Sequence, residues 1–423
     1  MTELSDQGRP PGVLETLRQG PFRAYLLANL VSSTGKWMQR VAIGWLVWQL
    51  SGSETMLGMI GAAELVPAIV LGPIAGVLAD RYRPLTIVWI ASALGTVLAV
   101  ALALSVMTGF GGIPLIFALM LASGVGNGTM EPARASLVYS LVSKRCLAGS
   151  VALDSLVYNV ARLAGPALAG VLLLAWEPQI LVLLNAASFV PMLGVLLWLR
   201  RHDGRAADRE APRSAGQGRL WAQIKAGLLY VVRDPRIGPI VLLLAGMSVC
   251  LRPVTDLLPA IVDRYHDGGP GELAFLAAGL GVGTLGTGLT ITFVGLRGRQ
   301  EYWLFGAAVM GMAGTLGLLH AADLALSFGM AILAGGALSG LGISAKTIMQ
   351  TSCDPQYRGR VMSAYAMLFL GGPAIGLPLI GALAEVAGLR LAFEVVLLVD
   401  AALLVFVVLR VRRTARRARA AAP

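Results

Sequence analysis

The stretch Asp80-Arg81-Tyr82-Arg83-Pro84 is a charged turn between two long apolar runs, one ending near Ala79 and the next starting near Leu85. Each run is long enough to cross a bilayer, since roughly 20 apolar residues at 1.5 Å rise cover the hydrocarbon. A turn this short sends the chain straight back, so its charges lie at the headgroup level. The pattern recurs. Twelve apolar runs can be marked, at about 22–49, 54–79, 85–108, 113–135, 148–175, 179–199, 237–262, 272–296, 301–320, 323–347, 361–386 and 389–411. They are too long for strands and lack a period of two. Backbone in lipid must satisfy its own hydrogen bonds, so each run is expected to be a helix.

Composition agrees. Only 13% of the 423 residues are charged and 56% are hydrophobic, against about 25% charged in a soluble domain. Gly, at 52 residues, suits membrane helices that pack closely. The net charge of +11 would suggest nucleic acid in a soluble protein, but the charges sit at one face of the membrane. With the N-terminus inside, the outer loops hold just Arg264 and Arg390 of the 34 Lys and Arg. Lys36, Arg40, Arg162 and Arg252 fall within runs, and the others lie in inner tails, loops and helix ends. Both termini are therefore expected in the cytosol, with the basic face against anionic lipid.

The longest polar interval, 200–236, separates six runs from six. The expected layout is an all-α membrane protein of twelve transmembrane helices in two six-helix bundles. A cytosolic N-terminal tail (1–21) precedes the first bundle (22–199). A basic cytosolic linker (200–236) leads to the second bundle (237–411) and a basic tail (412–423). The tail before residue 22 has no apolar signal core, and 220–233 could form a short amphipathic helix on the membrane surface.

The halves echo one another. Asp80-Arg81-Tyr82-Arg83 and Gly295-Leu-Arg297-Gly-Arg299 occupy corresponding turns, as do Lys144-Arg145 and Arg358-Gly359-Arg360. Gly165-Pro166 in the fifth run matches Gly372-Pro373 in the eleventh. Pro removes a backbone donor and Gly permits close approach. Pro67, Pro73, Gly165, Pro166, Gly372 and Pro373 are therefore candidate bending points, with static close packing as the alternative. Internal repeats and interrupted helices are what alternating-access carriers tend to have.

An ionisable group inside a span is costly unless paired, hydrated or facing a cavity. Lys36 and Arg40 share one helix face four residues apart. Glu64 lies near the middle of the second run, Arg162 near the middle of the fifth with Asn159 on the same side, and Arg252 and Asp256 four apart in the seventh. Glu64, then Asp256, then Asp154 are the candidates for carrying a proton, although Asp256 could instead pair with Arg252. Lys36, Trp37, Arg40, Trp45, Asn159, Arg162, Arg252 and Phe369 are candidate cavity residues; outward snorkelling or packing is the plainer reading of several. Glu131, Arg134 and Asp154, nearer the inner ends, resemble a gate network with Asp80 and Arg81.

These motifs resemble the major facilitator superfamily. The loop Gly76 to Arg83 resembles its hallmark between the second and third helices, although the Gly that follows the Asp-Arg pair there is absent. Phe22-Arg-Ala-Tyr-Leu-Leu-Ala-Asn29, Gly35-Lys-Trp37-Met-Gln39-Arg40, Pro132-Ala-Arg134, Asn159-Val-Ala-Arg162-Leu-Ala-Gly165-Pro166 and Arg358-Gly359-Arg360-Val361-Met362-Ser363 are similar to a bacterial exporter subgroup of siderophore and macrolide type, the transmembrane secretion effectors. The resemblance implies a secondary exporter of a small amphipathic or hydrophobic compound in the bacterial inner membrane. It would work as a monomer by alternating access, with protons as coupling ion. Gly76, Asp80, Arg81, Glu131, Arg134, Arg358 and Arg360 would form its cytosolic gate.

The competing readings are an uptake carrier for an organic anion or nutrient, and a non-transporting scaffold or receptor. No Walker-type motif points to ATP hydrolysis, no filter-like repeat to a channel. His202, His266 and His320 are scattered, and Cys146, Cys250 and Cys353 are isolated, so neither a metal site, a cofactor nor enzymic chemistry is expected.

Overall fold

The computed structural model describes residues 13–202, 234, 237–296, 299–353 and 357–420. The expected surface helix over 220–233 lies outside them. Among the described residues every regular element is helical. The chain runs through α1 (Val13–Leu17), α2 (Gly20–Ser51), α3 (Glu54–Arg81), α4 (Pro84–Thr108), α5 (Gly112–Leu141), α6 (Leu147–Leu173) and α7 (Pro178–His202). It continues as α8 (Ile237–Leu251), α9 (Pro253–Asp256), α10 (Leu258–His266), α11 (Pro270–Val294), α12 (Gln300–His320), α13 (Leu324–Ser352), α14 (Arg358–Ala387) and α15 (Leu389–Ala420).

Local chemistry sets the ends. Pro84 and Pro270 open α4 and α11, where a missing N–H costs no helical bond. Gly52 (φ 55°) and Gly109 (φ 67°) close α2 and α4 in the left-handed conformation, which a Cβ would strain. Eleven stretches are long and apolar enough to cross a membrane. The first spanning helix, α2, has the length at 32 residues, but Asn29, Lys36, Gln39 and Arg40 lower its hydropathy. It is held by packing on α6 and α7, and with it the spans number twelve.

The seventh run departs from a single continuous helix. It breaks after Leu251 and again at Leu257. Pro253 and Pro259 each open the next helical piece, because neither can donate to the preceding turn. Arg252 between the first two pieces keeps right-handed helical dihedrals (φ −68°, ψ −37°), so the larger change of direction comes at Leu257, after Asp256.

Helices α2 to α7 pack as one bundle, with α3 on α5, α4 on α5 and α7, and α2 on α6 and α7. Helices α8 to α15 form the second, with α13 between α11 and α12 and α14 against α8 and α15. The bundles meet along α3–α14 and α6–α11. Buried apolar side chains fill the helix seams, while Phe293, Val386 and Leu398 stand outward at 82%, 89% and 69% exposure, as lipid-facing residues do. The start of α2, the turn at residues 82 and 83 and the end of α15 lie at one end of the barrel of helices. The turns at 52–53 and 388 lie at the far end.

Candidate functional site

At mid-depth one guanidinium serves two carboxylates. Arg40 Nη1 donates to Glu64 Oε2 at 2.8 Å within the first bundle, and Arg40 Nε donates to Asp256 Oδ1 at 2.6 Å across to the second. Their side chains are 19%, 21% and 13% exposed. A single Arg or Asp at the bilayer centre costs about 3 kcal/mol on insertion scales, and Arg, with five donors in a fixed fork, can hold two carboxylates at once. Glu64 Oε1 accepts from Asn127 Nδ2 at 3.1 Å, and Asn127 Oδ1 accepts from Lys36 Nζ at 3.2 Å. The network thus runs Lys36–Asn127–Glu64–Arg40–Asp256.

Glycines make this approach possible. A Cβ on Gly124 would overlap the backbone at Glu64, and one on Gly58 the backbone at Leu377. The first brings α5 onto α3, and Asn127 beside Glu64. The second seats α3 on α14.

Lys36 and Arg40 share a helix but not a destination. Lys36 points into the first bundle, with its ammonium 5.4 Å from the Phe189 ring centroid, in a cleft also lined by Gly95, Asn127 and Asn185. Arg40 and Glu64 line that cleft too, and they also border a second one between the bundles with Trp37, Thr255 and Asp256. Arg40 and Arg162 both lie over Trp37, at 5.9 and 5.8 Å from the ring centroid, and Tyr158 meets Trp37 edge-on at 6.1 Å. From the second bundle Arg252 lies 5.2 Å over Phe369. Phe369 stacks on Tyr365 at 5.4 Å, and Tyr365 Oη donates to Gly342 O at 3.1 Å.

Several expectations change. Arg252 and Asp256 do not pair: Asp256 bonds Arg40, and Arg252 rests on the Phe369 ring. Trp45 is buried (5% exposed) in the apolar core, where its indole packs and lines no cavity. Asn159 donates to Ser155 O of its own helix at 2.9 Å, which turns its amide away from Arg162. Gly165 and Gly372 sit where a Cβ would meet Trp37 and Ser248, so both are tight crossings, and α6 and α14 continue through Pro166 and Pro373. Pro67 is buried in the unbroken α3.

Arg134 bonds Glu131 at 2.6 Å and Asp154 at 3.1 Å, and Asp154 accepts from Asn29 at 3.2 Å. The described partners all belong to the first bundle, so this cluster ties α2, α5 and α6 together. The side chains of Pro73, Gly76, Asp80, Arg81, Arg358 and Arg360 lie outside the described residues.

The far end is shut. Arg264 reaches from α10 to Glu54 at 3.2 Å and lies 5.3 Å over the Trp48 ring. Ser53 Oγ donates to Glu385 Oε2 at 2.9 Å. Gly170 and Gly281 leave no room for a Cβ against Ala274 and Leu163, which closes α6 on α11. Tyr158, one turn from Arg162, is 39% exposed.

Sequence reasoning passed over Asn127, Tyr158, Tyr365, the Arg264–Glu54 pair and Asp400, whose carboxyl is buried in α15 with Oδ2 unpartnered. Asn127 was detectable as an amide between two glycines in an apolar run. Tyr158 and Tyr365 each stand one turn before a residue already singled out. Among the described residues no cluster of His, Cys, Asp and Glu could hold a metal. The site links the two bundles by an ionic bond through Arg40.

A family model described as transmembrane secretion effector matches residues 12–422. A multidrug efflux pump named Tap, from Mycolicibacterium fortuitum, is 24% identical over 89% of this chain and 92% of its own length. A staphyloferrin A transporter from Staphylococcus aureus is 24% identical over 85% and 89%. The fold matches the crystal structure of the nucleoside transporter NupG with a TM-score of 0.75 at 11% identity, covering 92% of this chain and 99% of that one.

Proposed function

Because the chain belongs to the transmembrane secretion effector family of the major facilitator superfamily, we propose that it exports a small amphipathic or hydrophobic compound from the cytosol or inner leaflet by proton antiport. The observation that carries this reading is the sharing of Arg40 between Glu64 and Asp256. One of its contacts lies within a bundle and the other crosses between bundles, so loss of either carboxylate's charge changes what holds the halves together. A proton arriving at Glu64 or Asp256 neutralises one of Arg40's two carboxylate partners and weakens the hold on the one Arg40 donor that it takes. Rocking of one bundle against the other then carries the site from one side to the other. The termini end, rich in Lys and Arg, faces the cytosol of a bacterial inner membrane. The linker over 200–236 lies there too, against anionic lipid, and a monomer suffices. Efflux and siderophore carriers among the relatives favour export over uptake.

Everted vesicles from a strain lacking its own pumps test this. An imposed proton gradient should load an exported dye into them, and a protonophore should abolish the loading. Glu64→Gln should remove the gradient-driven component and leave substrate binding in place. Loading that is unchanged in Glu64→Gln sinks the assignment of that carboxylate. Accumulation in right-side-out vesicles instead would make the protein an uptake carrier.

A further inference from the structure

Between the bundles there are three guanidiniums, Arg40, Arg162 and Arg252, and Arg40 takes both nearby carboxylates. Among the described residues Arg162 and Arg252 have no carboxylate partner; each rests on an aromatic face. They come from opposite bundles, and contacts link their surroundings: Arg162 and Arg40 lie on the one Trp37 ring, and Arg40 bonds Asp256, four residues on from Arg252. A guanidinium without a carboxylate at mid-membrane depth is unfavourable, and a ring face offsets only part of that cost. Lys36 does not answer the same need, being bonded to Asn127 inside the first bundle.

We propose that Arg162 and Arg252 form an anion clamp between the bundles, taking the carboxylate, sulfonate or phosphate of an aromatic substrate. Its ring system lies on Trp37 and Tyr158 on one side and on Phe369 and Tyr365 on the other. The clamp rests on the transport reading above and narrows its substrate class to anionic amphiphiles. A planar guanidinium matches a carboxylate or phosphate through two parallel hydrogen bonds. A cationic compound would meet two uncompensated positive charges, and a neutral one would leave them unpaired. Because the arginines belong to different bundles, an anion held by both would draw the halves together around it.

The full chain in phosphatidylcholine nanodiscs is titrated with 2-naphthoate and, at equal ionic strength, with neutral 2-naphthamide, following the thermal midpoint. Naphthoate alone should raise it saturably. Arg162→Gln or Arg252→Gln should each weaken that response at least about tenfold, as expected for one lost charge-assisted contact. Arg162→Lys and Arg252→Lys, which keep the charge and lose the planar fork, should retain part of the response and serve if the Gln variants fail to fold. An equal rise with the amide overturns the clamp. So does the absence of any rise with naphthoate, 2-naphthalenesulfonate and 2-naphthyl phosphate. An anionic lipid headgroup offers the same chemistry, and a naphthoate response suppressed by added phosphatidylglycerol would keep the clamp and make lipid its occupant. Gradient-driven efflux of a cationic dye that survives both Gln variants overturns the clamp and keeps the exporter reading. Naphthoate binding in a protein that moves no compound in any vesicle does the reverse.

Discussion

Arg40 is the side chain on which most of the buried charge depends. Without its guanidinium, Glu64 and Asp256 would share a site with no cation bonded to either. Arg40→Gln should therefore cost stability by about 2 kcal/mol, less than the ~3–5 kcal/mol of a fully buried broken pair because a fifth of the side chain is exposed. Thermal unfolding of the purified protein checks this. The triple variant Arg40→Gln, Glu64→Gln, Asp256→Asn should recover most of that stability and none of the gradient-driven transport. Full recovery of transport would show that the three charges serve only to hold the fold. Individually these residues stood out in the sequence as ionisable groups within apolar runs. Their pairing did not, because Arg252 is the cation nearest Asp256 along the chain, while Arg40, which takes it, lies 216 positions away.

The element that carries both Arg252 and Asp256 is the interrupted seventh span. Pro253 follows Arg252 directly, and the turn at Leu257 (φ −89°, ψ 3°) reorients the chain before Pro259. Pro253→Ala restores a backbone donor and lowers the cost of a continuous helix. The variant should fold, since most of the burial of α8 and α10 is unchanged. It should lose a large part of gradient-driven efflux, because a span with that backbone bond restored yields less readily as the bundles move. Vesicle loading set beside an unchanged thermal midpoint is the measurement; wild-type loading would mean that the break is not needed for coupling. The helices themselves were readable from length and hydropathy, with the run at 22–49 realised as Gly20–Ser51. Where Gly-Pro pairs suggested bending, the structure gives tight crossings at Gly165 and Gly372. Sequence alone cannot separate these, because a missing Cβ serves both.

For the whole molecule, closure of the far end sets the conformation. Ser53 of the first bundle bonds Glu385 of the second, beside the pair of Glu54 with Arg264. A Ser53→Cys, Glu385→Cys variant should crosslink under mild oxidation, stop transport, and regain it on reduction, because the far end must part for release. The natural cysteines, Cys146, Cys250 and Cys353, are buried and offer little background. Crosslinking with full transport would show that this end does not open in the cycle. The sequence by itself determined that the chain crosses the membrane repeatedly, that its basic face carries the termini, and that two sets of spans echo each other. Those properties depend on transfer free energies and charge counts that accumulate residue by residue along a run. Only the tertiary structure decided which buried charges meet: Lys36 goes to Asn127 and Arg40 to Glu64 and Asp256, while Arg162 and Arg252 rest on aromatic rings. Such meetings join positions tens to hundreds of residues apart. They are fixed by helix packing and glycine crossings, and the local pattern of polar and apolar residues does not encode them.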